Sequence, residues 1–72
     1  MKIVLSFHAK KRLIERGIKL GQIIAVIKYP DYTVKRSDQE TEAYKKIKDK
    51  TLKVVYIYEK RYIKVITLYY LD

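Results

Sequence analysis

Cysteine is missing from this chain, which removes both a disulfide framework and a thiolate metal site. With a single His, a metal cluster built on imidazoles is excluded as well, and with two Gly in 72 residues there is no phosphate-cradling glycine motif. The longest apolar run, Ile23 to Ile27, is far too short to cross a bilayer. Met1 leads straight into an amphipathic pattern without the apolar stretch of a signal peptide. These absences predict a cytoplasmic, soluble protein with no membrane partner and no cofactor. No Ser lies near the His at a triad-like spacing, and the eight Asp and Glu are scattered, which argues against a two-metal nuclease site.

What is present is positive charge. Seventeen Lys and Arg against eight Asp and Glu leave +9, enough to draw polyanions to the surface, so nucleic acid, RNA first, is the expected partner. Eight Tyr interleave with the Lys; such rings stack on unpaired bases, but they also fill the half-buried surface of strands. Absent Asn, two Gln and 35% charged residues resemble the composition of thermophile proteins. A chain of this length makes one domain, 1–72, and buries only roughly 60% of its unfolded surface. Its thin core has no covalent staple, so self-association is an expected source of stability.

Ser6 is suited to cap a helix that begins at Phe7, and Gly17 supplies its left-handed stop, with Ile18 folding back against it. On a wheel of 100° per residue, Phe7, Ala9, Lys10, Leu13 and Ile14 share an arc expected to pack, opposite His8, Lys11, Arg12, Glu15 and Arg16. A second helix is predicted from about Leu20 to Lys28, burying Leu20, Ile23, Ile24 and Ile27, and Tyr29-Pro30-Asp31 ends it. Beyond Tyr32 the period becomes alternating. Strands are predicted at Tyr32–Lys35, Ala43–Lys48, Leu52–Tyr58 and Tyr62–Tyr70, with turns at Arg36–Glu40, Asp49-Lys50 and Glu59–Arg61. The expected fold is therefore α+β: two N-terminal helices packed on a four-stranded antiparallel sheet. Both faces of the last two strands carry apolar or aromatic residues, so the face away from the helices should meet a second copy, another protein or bases.

His8, Arg12 and Arg16 recur every four positions and stack on one helix flank. An imidazole beside two guanidiniums suits metal-free phosphate chemistry, because His moves a proton near neutral pH while Arg holds phosphate and the charge of its transition state. The plain alternative is a solvated face laced by Lys11–Glu15 and Arg12–Glu15 pairs. The run His8-Ala9, Arg12, Glu15-Arg16-Gly17-Ile18, followed by Pro30-Asp31, Leu52-Lys53-Val54-Val55-Tyr56 and Val65-Ile66-Thr67-Leu68-Tyr69, resembles the family called domain of unknown function 4258. The resemblance covers nearly the whole chain.

That resemblance implies a compact helix-helix-sheet domain, similar in arrangement to RelE- and BrnT-type toxins and to barnase-like ribonucleases. Carried over by position, it points to His8, Arg12 and Arg16 as site residues, with Thr67 a further candidate because its hydroxyl interrupts an apolar strand, and with Glu15 orienting an Arg. The expected activity is cleavage of RNA by 2′-hydroxyl attack, as an endoribonuclease and the toxin of a toxin–antitoxin pair, with His8 as base. Lys46, Tyr56 and Arg36 are unranked candidates for the group that protonates the leaving oxygen. The rival expectations are a non-catalytic nucleic-acid-binding module, and a protein-interaction subunit whose apolar sheet face binds itself as a homodimer or binds an acidic antitoxin.

Overall fold

The computed structural model describes residues 2–71; Met1 and Asp72, the ends of the expected domain, lie outside the described residues. In chain order the elements are β1 (Lys2–Leu5), α1 (Phe7–Arg16), α2 (Leu20–Lys28), β2 (Tyr32–Lys35), β3 (Glu40–Ile47), β4 (Lys50–Tyr58) and β5 (Tyr62–Leu71). The class is α+β with two helices, as expected, but the sheet differs. It has five strands in the order β1-β5-β4-β3-β2, and β1 pairs parallel with β5 while all other neighbours are antiparallel. Lys2–Leu5 is too short to show a period of its own. Its strand character comes from β5, where Lys2 pairs with Tyr62 and Leu5 with Val65.

Local signals set the helix ends. Ser6 Oγ accepts from the Ala9 N–H, satisfying one of the free donors of the first turn of α1. Gly17 sits at φ 63°, with its N–H bonded to the Ile14 carbonyl and the Ile18 N–H bonded to the Leu13 carbonyl. Ile18 is thereby turned into the core. At α2 the Gln22 side chain accepts from the Lys19 N–H, and Pro30 stops the helix.

The core lies between the helices and one sheet face: Ala9, Ile18, Ile23 and Val26 pack against Ala43, Leu52, Val54, Tyr56, Ile63, Val65 and Leu68. The buried stripes are rotated from those predicted. On α1, Ala9 is buried and Leu13 packs on the core, whereas Phe7 and Ile14 stand 86% and 75% exposed and Lys10 faces solvent. On α2 the fully buried residues are Ile23 and Val26, and Leu20 is exposed. The rotation of α1 has a cause in its capping residue: Ser6 Oγ also donates to the Ile66 carbonyl at 2.8 Å, which ties the start of the helix to β5.

Ile66 is the extra residue of a β-bulge, since Val55 pairs with Thr67 but Tyr56 with Val65. The bulge changes which residues of β5 face the helices: Ile63 and Val65 before it, Leu68 and Tyr70 after it. The β3–β4 turn is Lys48-Asp49, one residue earlier than predicted, and Lys48 adopts φ 62°. Asp31 clamps the end of α2 to β3: its N–H donates to the Tyr44 carbonyl, its carboxylate accepts from the Lys46 N–H, and Lys45 Nζ donates to the Tyr29 carbonyl.

Candidate nucleic-acid interface

α1 carries three of the four expected site residues. His8 and Arg16 are exposed and Arg12 is half-buried, and the four-residue spacing sets them along one flank of the helix. Among the described residues the ion pairs are Arg36–Glu42, Lys45–Asp31 and Lys53–Glu42. The Lys11–Glu15 and Arg12–Glu15 pairs that helical spacing allows do not form, so the cations of this flank face outward without a carboxylate partner. No side-chain hydrogen bond among the described residues reaches His8, and none joins Glu15 to either Arg.

Thr67 is placed differently. It follows the bulge on β5 and pairs with Val55, so its side chain is on the sheet face opposite the core. It lies on the strand against which α1 packs, yet no side-chain hydrogen bond connects it to His8, Arg12 or Arg16. Of the three unranked candidates, Tyr56 belongs to the core and is 3% exposed, which takes its hydroxyl away from any open surface. Arg36 and Lys46 remain on the open side, near the β2–β3 edge.

The open face has its own polar centre. Strand register aligns Tyr69, Lys53, Tyr44 and Tyr32 in one row, and Thr67, Val55, Glu42 and Val34 in the next. The Tyr32 and Tyr44 rings stack with centroids 4.5 Å apart and planes at 10°. Lys53 Nζ lies 5.6 Å from the Tyr44 ring centre and 5.3 Å from that of Tyr69, a cation held between two aromatic faces. Glu42 Oε1 accepts from the Tyr44 hydroxyl at 3.0 Å and forms an ion pair with Arg36 Nε at 3.1 Å, and its other oxygen is 3.4 Å from Lys53 Nζ. Both helices pack on the other face, yet these long side chains leave Glu42 only 7% exposed.

Burial pushes the Glu42 carboxyl towards neutrality, but the hydrogen bonds from Tyr44, Lys53 and Arg36 outweigh it and hold the carboxyl below its ordinary range. Lys53 is raised, first by the Tyr69 phenol, against the cost of burial and with help from Tyr44 and Glu42. Tyr44 is also raised, by burial and then by its bond to Glu42. The arrangement is therefore a carboxylate shared by an ammonium and a guanidinium, fixed in charge across the neutral range and walled by aromatic rings.

Sequence reasoning did not select Glu42, Lys53, Tyr44 or Tyr69. Glu42 and Lys53 are not directly opposite: Glu42 pairs with Val55 and Lys53 with Tyr44, so their contact is a diagonal one. The alternation of Glu40, Glu42, Tyr44 and Lys46 assigns those residues to one face. Only the register of the β3–β4 hairpin brings Lys53 to Glu42. Among the described residues no three His, Cys, Asp or Glu side chains converge as a metal cage, and no helix is long and apolar enough to cross a membrane.

No curated protein and no solved structure matches the chain. The sequence model of the family described as Domain of unknown function (DUF4258) matches residues 5–70, which takes in the α1 motif, both helices and strands β2 to β5 through Tyr70. On that match, which spans nearly all of its length, the chain belongs to the DUF4258 family.

Proposed function

We propose that this domain is a metal-independent endoribonuclease whose working surface is the His8–Arg12–Arg16 flank of α1. The observation that carries the reading is that these three side chains share one helix flank and have no carboxylate partner among the described residues. A structural ion-pair lattice would have engaged Glu15. Two guanidiniums without a carboxylate partner, Arg16 exposed and Arg12 half-buried, suit a phosphodiester, which two forked donors can grip while negative charge grows on its oxygens.

In the proposed step His8 takes the proton of a ribose 2′-hydroxyl, and the 2′-oxygen attacks the adjacent phosphorus. The bond from phosphorus to the 5′-oxygen breaks, and that oxygen leaves with a proton, giving a 2′,3′-cyclic phosphate and a 5′-hydroxyl end. Arg12 and Arg16 hold the phosphoryl oxygens throughout. Lys46 and Arg36 lie on the sheet face turned away from the helices, so neither reaches this flank, and the leaving oxygen takes its proton from water. A toxin role fits this surface too: an acidic antitoxin would cover the cations of α1, and the exposed Phe7 and Ile14 between Lys10 and Lys11 would give it apolar anchors.

A second reading, a non-catalytic RNA-binding module, is favoured by one observation. His8 is exposed, and among the described residues no side-chain hydrogen bond orients its ring, whereas a working base is usually held by a third group. The two readings separate in one experiment: defined RNA incubated in EDTA with the wild type, His8→Ala and the combined Arg12→Ala, Arg16→Ala variant. Cleavage to cyclic-phosphate ends by the wild type, lost in both folded variants, supports the ribonuclease. Salt-dependent binding with no cleavage assigns the domain to the binding class.

A further inference from the structure

We infer that single-stranded RNA crosses the open sheet face along β2, with an unpaired base stacked on Tyr32 and a backbone phosphate held by the Arg36 guanidinium. The inference rests on the RNA reading above and adds to it a second contact surface at the far side of the sheet. β2 is the edge strand opposite β1, whereas α1 packs on β5 and β1.

Tyr32 is a prepared platform. One side of its ring is stacked on Tyr44, which is itself fixed by its hydroxyl bond to Glu42, and Tyr32 still stands 55% exposed. A flat base can extend that stack at little entropic cost, because the ring is already held. Arg36 is prepared in the same way. Its Nε is engaged by Glu42, the Arg36 side chain is 58% exposed, and its terminal nitrogens keep the fork that suits phosphate.

Arg36 directly follows β2, and with Val34 between them the Cα atoms of Tyr32 and Arg36 are roughly 13 Å apart at the rise of a strand. Glu42 does not make the surface acidic. Its one negative charge is shared by Arg36 and Lys53, and Lys46 adds another cation on the same face. A desolvated ion pair such as Glu42–Lys53 adds little net stability over an apolar pair of the same size. Here it acts as a positioning residue that aims Arg36. Charge therefore favours a polyanion as the occupant, and the exposed ring favours one with unpaired bases.

The test uses a fluorescein-labelled 2′-O-methyl-uridine 12-mer, which lacks the attacking hydroxyl, titrated with the intact protein across a KCl series and read by anisotropy. Tyr32→Ala should weaken binding roughly 10-fold with the salt slope unchanged. Arg36→Ala should weaken it and reduce the slope by about 0.7, the loss of one phosphate contact. Arg36→Lys should recover the slope but not the affinity. Glu42→Gln should weaken the wild type and have little further effect in the Arg36→Ala background, a dependence that general loosening of the sheet would not produce. Far-UV circular dichroism checks folding, with Tyr32→Leu and Arg36→Gln as second variants.

If the Tyr32 and Arg36 variants bind like the wild type while Arg12→Ala, Arg16→Ala still weakens binding, this inference is overturned and the α1 reading stands. If the wild type does not bind the 12-mer, or binds polyglutamate in its place through Tyr32 and Arg36, this inference is overturned, and the cleavage assay decides the α1 reading separately.

Discussion

The hydroxyl of Ser6 bridges two distant parts of the chain, donating to the Ile66 carbonyl at 2.8 Å while accepting from the Ala9 N–H at 3.0 Å. One side chain thus caps α1 and satisfies a carbonyl at the β5 bulge. Ser6→Ala should lose both bonds and cost about 2 kcal/mol. Asp equals Ser as an ordinary cap, but here it has no proton for Ile66, so Ser6→Asp should be no better than Ser6→Ala. Urea midpoints of the three proteins check this; a fully stable Ser6→Asp would show that the bridge contributes nothing.

The Glu42–Lys53 contact should show the asymmetry of a desolvated pair. Glu42→Leu alone leaves Lys53 without its carboxylate and should cost roughly 3 kcal/mol, whereas Glu42→Leu with Lys53→Met should cost less than the single change. The acid limb follows from the depressed Glu42 carboxyl. Its contribution is present above the unfolded value near 4.5 and is lost as pH falls through the lower folded value. Wild-type stability should therefore drop below about pH 4, with a shallower drop in the double variant. Additive single and double costs, or parallel acid limbs, would remove the network from the account.

Lys48 holds a left-handed conformation in the two-residue β3–β4 turn, a position that favours glycine. Lys48→Gly should relieve about 1 kcal/mol of backbone cost. For a domain of this size, that raises Tm by about 4–8 °C. Scanning calorimetry of the two proteins decides it, and a lowered Tm would mean that the Lys48 side chain contributes more than its backbone costs.

At the alkaline end the buried Tyr56 phenol is pushed up to about 12 by burial and by its neighbour Tyr58. Its folded value lies above the unfolded one near 10, so its contribution is present below pH 10 and is lost as pH rises towards 12. A titration followed at 295 nm should show a late phase in which Tyr56, with the likewise raised Tyr44, ionises together with loss of near-ultraviolet circular dichroism. Tyr56→Phe should reduce the amplitude of that late phase by one tyrosine.

Much of the fold was legible because its signals are local. The Ser6 cap, Gly17, Pro30 and the alternation after Tyr32 place both helices and the four antiparallel strands within a few residues. What was not legible depends on partners far along the chain. Lys2–Leu5 becomes a strand only beside Tyr62–Val65. The more apolar arc of α1, with Phe7 and Ile14, looks like the packing face on a wheel, but the Ser6–Ile66 bond turns Ala9 and Leu13 inward. The α1 motif could be found from spacing alone, as spacing fixes a helix flank. The Glu42–Lys53 centre could not, because it needs the register of one hairpin and the packing of Tyr44 and Tyr69 around it.

The parallel seam between β1 and β5 also sets an order of events. The strand made first must wait for one made some sixty residues later, and α1, which packs mainly on β5, waits with it. During synthesis the β2–β3–β4 meander is complete before the N-terminal segment has a surface to dock on. Closing so long a loop is entropically slow, so folding should be limited by the arrival and pairing of β5 rather than by helix formation. A ribosome that stalls before Tyr62 would leave the cationic N-terminal segment, Arg12 and Arg16 included, undocked beside a polyanionic neighbour.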